Sequence, residues 1–368
     1  GRGQSRFEEQ KIKQPIKDIG PHVKLYSDRC IMCSRCVRFT REVSGTGEIG
    51  VVGRGDREQI DVFPGRPLDN ELSGNVVDIC PVGALLDKDF LFKQRVWFLT
   101  ETPSIDPVTA SGDNIWIDHN EGTIYRLRPR PNPEVNRWWI SDQIRYGWKF
   151  VHHPARLRSP TRKLSGPPEE CDWNRAYELV AARFKQLAQD HAPGWLALMV
   201  SPMLTSEEAY LLGKLAMALD SKATLGIGPV PVVGEDKKFP DGYRISAEKC
   251  PNRRGVSRAL ARISDEVLQY EPFVMSLKNV HGVVLTGNYS EPWTTKTLKT
   301  ALGKSYVVLI DTLPGDLNDR ADILLPGATW AEKAGTFENV DNRLQCFEQA
   351  IAVIELAKSE GQIALDLL

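Results

Sequence analysis

Three cysteines stand at two-residue spacings, Cys30, Cys33 and Cys36, and a fourth, Cys80, stands alone directly before Pro81. A loop of the form C-x2-C-x2-C wraps three corners of a 4Fe-4S cube, and a distant Cys-Pro supplies the fourth thiolate. The alternative for four cysteines is a structural zinc site, but zinc ribbons usually present two C-x2-C pairs, so a triple with a lone Cys-Pro favours iron and sulfide. Pro81 fixes the backbone after the fourth ligand and removes a donor, while Gly83 and Ala84 allow a tight exit beside the cube. Arg29, Arg35, Arg38 and Arg41 surround the first loop, and positive charge there raises the potential of a bound cluster. Cys171, Cys250 and Cys346 stand apart from one another and read as small buried hydrophobes.

A chain of 368 residues has room for two or three domains around this centre. At 41% hydrophobic and 26% charged it is an ordinary globular composition, which excludes a disordered chain. Lys+Arg 47 against Asp+Glu 48 gives a net charge of -1, so no global positive field recruits nucleic acid or an anionic membrane. The longest apolar runs, such as Trp195–Val200, are strand length and far short of the roughly 20 residues of a membrane helix. At a membrane such a chain acts as a peripheral subunit. Seven cysteines are too few for a disulfide scaffold, and the odd number suits a reducing compartment. The opening from Gly1 is polar, without a signal-peptide core, and the true start of the gene product is expected to lie upstream.

Two words around the ligands are more specific. Asp28-Arg29-Cys30-Ile31-Met32-Cys33-Ser34-Arg35-Cys36-Val37-Arg38-Phe39 and Ser73-Gly74-Asn75-Val76-Val77-Asp78-Ile79-Cys80-Pro81-Val82-Gly83-Ala84-Leu85 resemble the large iron–sulfur subunit of NADH:quinone oxidoreductase, respiratory complex I. That family is related to the molybdopterin oxidoreductases. The resemblance implies that a 2Fe-2S cluster and a histidine-ligated 4Fe-4S cluster belong to a region before this chain, with residues 1–18 as the linker that follows it. The stretch Thr102–Ile115 then resembles the small cluster domain that opens molybdopterin enzymes, where four cysteines bind 4Fe-4S. Here those positions hold Asp106, Thr109, Asp113 and Ile140, so the resemblance implies a retained fold without its cluster. Asp106 and Asp113 read as solvated turn residues rather than as ligands of a hard cation.

Beyond residue 153 helix and strand patterns alternate. Ala176, Leu179, Val180, Phe184 and Leu187 share one helical face, Leu196–Val200 reads as a buried strand, and Thr205 with Glu208 forms a capping box opening a helix through Ala218. Strands over residues 282–286 and 306–311 flank a further helix, the pattern of a parallel α/β sheet. Gly287-Asn288 sits where open sheets bind ligands, although a glycine turn is also the ordinary start of a crossover. The words Pro251-Asn252-Arg253-Arg254-Gly255 and Ala321–Asn339 resemble those of the complex I subunit and of molybdopterin enzymes respectively. Residues 360–368 read as a helix still running at the last residue, as though cut short.

The expected fold is therefore α/β. It has a ferredoxin-like 4Fe-4S domain over 1–95, a degenerate molybdopterin-type cluster domain over 96–152 and a molybdopterin-oxidoreductase-like domain with a parallel sheet over 153–368. The resemblance implies an electron-transfer subunit of the peripheral arm, passing electrons from the NADH/flavin module towards quinone through one 4Fe-4S cluster on Cys30, Cys33, Cys36 and Cys80. No molybdenum cofactor and no substrate site of its own are expected. Its partners would be the flavin/NADH-binding subunit and other peripheral-arm iron–sulfur subunits. It would lie on the cytoplasmic side of the inner membrane in bacteria, or on the equivalent matrix side. Competing readings are a relay subunit of a soluble NAD-linked hydrogenase or formate dehydrogenase, and a catalytic molybdopterin oxidoreductase. Trp138-Trp139 and the basic run Arg126–Pro131 read either as contact surface or as a buried Trp beside a solvated loop.

Overall fold

The computed structural model describes residues 13–368 except 164 and 165, together with residues 3, 6 and 8. Half of the linker expected over residues 1–18 falls outside the described residues. Two compact units divide the chain, one of residues 1–96 with 238–243 and one of residues 97–237 with 244–368.

In the first unit the strands Ile16–Asp18, Val23–Tyr26 and Leu85–Asp87 form an antiparallel sheet with Val23–Tyr26 in the centre. Val23 and Leu25 point into the core, as the two-residue period of a strand dictates, and Lys24 and Tyr26 lie at its edge. A hairpin of Ile49–Val52 and Gln59–Val62 and the short helices Arg35–Arg38 and Asn75–Ile79 close over that core. Phe39, Ile49, Ile60, Leu68, Leu72 and Val76 fill it. Gly20 permits a close approach, since a Cβ there would lie 2.0 Å from the Leu68 carbonyl oxygen. Residues 238–243, far along the sequence, also belong here: Phe239 and Tyr243 are buried, and Pro240 packs beside Gly45.

The second unit is built on a doubly wound sheet. Its strand order is Glu169–Glu170, Thr161–Arg162, Ile323–Pro326, Tyr306–Asp311, Gly282–Thr286, Leu196–Val200, Thr224–Ile227, Val267–Leu268. The last six of these run parallel, and the two at the other edge are antiparallel. Both faces are apolar, so the central strands read as unbroken hydrophobic runs. Leu196, Leu198 and Val200 pack under the helices Trp173–Asp190, Ser206–Leu219, Arg253–Leu260 and Glu360–Leu367. Ala197 and Met199 face the helix Tyr270–Ser276 and Leu298 on the other side. Asp172 caps the first helix by accepting from the Arg175 amide at 2.8 Å, and Thr205 and Glu208 make the expected capping box.

A separate antiparallel sheet of Thr100–Ile105, Asn114–Asn120 and Thr123–Pro129 lies in the same unit. Its Ile115, Ile117 and Leu127 share a core with Trp330, Phe337 and Phe347. The basic run 126–131 thus begins in a strand rather than in a solvated loop. Arg126 and Arg128 both bind the buried Asp118, at 2.6 and 2.7 Å, because the neighbouring strand brings a carboxylate beneath them. Trp138 is exposed and Trp139 half-buried, in place of the buried Trp considered from the sequence.

Candidate iron–sulfur centre

Antiparallel pairing of Val23–Tyr26 with Leu85–Asp87 is what brings the distant cysteines together. The Cys30 loop leaves the first of these strands as the Cys80 turn enters the second, with Leu25 opposite Leu85. The Tyr26 amide donates to the Ala84 carbonyl at 2.7 Å, extending the pairing to the mouth of both loops. A tight turn follows, in which the Cys30 amide donates to Ser27 at 3.0 Å. Met32 and Ser34 then adopt left-handed backbone, at φ 54° and 57°, on either side of Cys33. Each costs roughly 1–2 kcal/mol for an L-residue, a strain that concentrates at functional sites. The two reversals turn the loop about Cys33, and Cys36 follows in the short helix Arg35–Arg38. On the other side the helix Asn75–Ile79 ends at Cys80, whose extended backbone leads into Pro81.

All four of Cys30, Cys33, Cys36 and Cys80 line one small hollow. Its remaining walls are mainly apolar, from Leu25, Ile31, Ile60, Pro81, Val82 and Leu85. Cys36 is buried and the other three thiols are half-buried. Burial, reinforced by Cys30, Cys33 and Cys80 around it, pushes the Cys36 thiol up to about 11, against the Val37 amide that favours its thiolate. Four thiolates share such a hollow only with positive charge among them, which a bound metal would supply in place of their protons. Among the described residues no group of three or more His, Cys, Asp or Glu is placed to hold a metal ion directly. Four soft sulfurs lining one mostly apolar hollow are the donor set that an iron–sulfur cluster takes.

The other four positions behave differently from the sequence expectation. Asp106 and Asp113 are fully buried rather than solvated, as are Thr109 and Ile140. Asp106 accepts from the Val108 amide at 2.7 Å and from the amide and hydroxyl of Thr109. Its own amide donates to the Asp113 carbonyl at 2.8 Å. Those bonds let a carboxyl be buried inside a turn, and burial, outweighing them, pushes it up to about 6. Ile140 is part of the apolar core under the three-stranded sheet. Of the lone cysteines only Cys250 is fully buried; Cys346 is exposed because it faces outward from the strand Leu344–Phe347.

A second hollow lies at the carboxyl ends of the parallel strands. The chain passes from Leu196–Val200 to one side of the sheet and from Gly282–Thr286 to the other, and the loops following these strands diverge there. Sequence reasoning singled out Gly287-Asn288 at this point but not the aromatic pair Tyr289 and Trp293, stacked 5.4 Å apart. Several of its polar groups are engaged internally. Asn288 donates to the Ala328 carbonyl and to Glu360, Tyr289 to Pro229, Trp293 to Asp311 and Lys249 to the Ser246 carbonyl. The wall of this hollow carries one lysine, Lys249, together with Glu291 and four prolines.

Three family descriptions match the chain. The ferredoxin-like domain of NADH-quinone oxidoreductase subunit 3 matches residues 20–86, the NADH-ubiquinone oxidoreductase NDSU1/NuoG-like 4Fe-4S domain residues 99–149, and molybdopterin oxidoreductase residues 266–368. An NADH-quinone oxidoreductase subunit of Rickettsia felis is 35% identical over 60% of this chain and 32% of its own length. The NADH-ubiquinone oxidoreductase 75 kDa subunit of Reclinomonas americana is 36% identical over 65% of this chain and 34% of its own. The mitochondrial NADH dehydrogenase [ubiquinone] iron-sulfur protein 1 of Solanum tuberosum is 41% identical over 53% and 26%. The chain thus spans between about a quarter and a third of the length of these curated relatives. Among solved structures, acetylene hydratase from Pelobacter acetylenicus aligns at a TM-score of 0.47 and 9% identity, over 72% of this chain and 69% of that one, too distant to carry an argument. With these domains in this order and these homologues, the chain is a relative of the large iron–sulfur subunits of NADH-quinone oxidoreductase, the 75 kDa type.

Proposed function

We propose that this chain is an electron-transfer subunit of the peripheral arm of an NADH:quinone oxidoreductase, relaying electrons from the NADH/flavin module towards quinone. The observation that carries the reading is the ring of Cys30, Cys33, Cys36 and Cys80 around one mostly apolar hollow. When bound there, a 4Fe-4S cluster supplies a one-electron carrier. The protein's own contribution is placement and environment. The paired strands fix both ligand loops, the apolar walls limit water, and the arginines of the first loop supply positive charge. The region matched to the NuoG-like 4Fe-4S domain contains no cysteine, so it is assigned no cluster, with Asp106, Thr109, Asp113 and Ile140 at the former ligand positions. The second hollow is assigned no molybdenum cofactor. These assignments leave one cluster on this chain.

The proposed partners are the flavin/NADH-binding subunit and neighbouring iron–sulfur subunits, and the proposed place is peripheral, on the cytoplasmic or matrix side of the membrane. No helix among the described residues is long and apolar enough to cross a membrane. In the assembled complex, Cys30→Ala should abolish NADH-to-quinone electron flow while NADH oxidation by an artificial acceptor at the flavin continues. Quinone reduction that survives the change would refute the relay.

A further inference from the structure

We propose that Arg29 is the positioning residue of this centre, clamping the Cys30 loop to the Cys80 turn and raising the cluster's potential; the inference rests on the cluster reading above. Arg29 immediately precedes the first ligand. Its Nη1 donates to the Gly83 carbonyl oxygen at 3.1 Å, three residues beyond Cys80, and its guanidinium carbon lies 4.2 Å from the centre of the Tyr26 ring. Tyr26 is in turn bonded through its amide to Ala84 at 2.7 Å. One side chain therefore ties together the end of one strand, the Cys30 turn and the Cys80 turn. Arg29, Arg35, Arg38 and Arg41 are all exposed, and Arg35 lines the hollow; what sets Arg29 apart is its bond to the Cys80 turn. A planar guanidinium stacks on an aromatic face while its edge donates in plane, which an ammonium cannot reproduce. A Cβ at Gly83 would meet Arg29 only at an ordinary 3.7 Å, so it is the carbonyl of that residue, not its missing side chain, that the clamp needs. A cation held next to the first ligand stabilises the reduced, more negative cluster over the oxidised one, less strongly from an exposed side chain than from a buried one.

The test is made on the complete subunit in the assembled complex. Cys30→Ala first identifies the electron paramagnetic resonance signal of this cluster by difference. Arg29→Met is then expected to keep that signal with altered line shape, to shift its midpoint potential negative, and to speed iron loss to a chelator several-fold. Arg29→Lys, which keeps the charge but not the planar stack, should restore much of the potential yet leave the cluster labile to chelator. Gly83→Ala should change neither. If Cys30→Ala removes no signal, the cluster reading itself fails. If it removes the signal while both Arg29 variants keep native potential, line shape and chelator resistance, the clamp is refuted and the cluster reading stands. Should Arg29→Met not accumulate, Arg29→Lys decides alone: native chelator resistance overturns the proposal.

Discussion

A carboxyl buried beside another carboxyl must share a cation or keep its proton, and Glu360 does both. Lys333 lies 2.9 Å from Glu208 and 2.8 Å from Glu360, all three nearly inaccessible, so one ammonium serves two acids. Burial, then the Glu208 charge, pushes Glu360 up to about 8 against the pull of Lys333, while Lys333 and the Thr205 amide hold Glu208 below its ordinary value despite burial. In the unfolded chain a Glu titrates near about 4.3. The folded state thus keeps a proton that the unfolded state has released across roughly pH 4.5–8, and stability falls as pH rises through that window. Asp106, raised to about 6, acts with the same sign over the lower part of it. The thermal midpoint should drop between pH 6 and 8, and Glu360→Gln should flatten that drop; an unchanged slope would contradict the assignment. None of this was legible in the sequence, where Glu208 read only as a capping residue. Cys30, Cys33 and Cys36 could be read because a two-residue spacer fixes their separation along the backbone. Asp106 misled, because an isolated carboxylate in a turn gives no sign that local amides will satisfy it.

At the scale of elements, the central strands and long helices were legible for a physical reason: a parallel strand buried on both faces needs an unbroken apolar run, and an amphipathic helix needs its stripe. Thr161–Arg162 and Glu169–Glu170 were not, being two residues long, polar and placed by their neighbours. Leu198→Ala, which empties a site in the middle of the sheet, should cost about 2–5 kcal/mol in denaturant unfolding. Thr205→Ala removes a cap whose hydroxyl accepts from the Glu208 amide at 3.2 Å and should cost about 1 kcal/mol by the same measurement. A value for Thr205→Ala as large as that for Leu198→Ala would mean that the hydroxyl supports the buried Glu208–Lys333–Glu360 cluster as well as the helix. Gly20→Ala drives a Cβ into the Leu68 carbonyl and should lower the melting point of the first unit, read as earlier loss of cluster absorbance on heating.

Across the whole molecule, local words located the centre, but pairing built it. The C-x2-C-x2-C triple and the Cys-Pro sit far apart in the chain, and the antiparallel register of Leu25 with Leu85 closes the distance. Residues 238–243 show the limit of reading in order: Phe239 and Tyr243 complete the first unit from a point deep in the sequence of the second, with no composition shift to mark the excursion. The sheet and its faces are held by apolar packing, and polar groups at the strand ends bind one another. The central proposal is that Cys30, Cys33, Cys36 and Cys80 hold one 4Fe-4S cluster and the chain holds no molybdenum. Iron, acid-labile sulfide, zinc and molybdenum, measured together per chain on anaerobically purified protein, test this most directly. The account predicts four irons and four sulfides with no molybdenum; one zinc without sulfide, or any stoichiometric molybdenum, would contradict it.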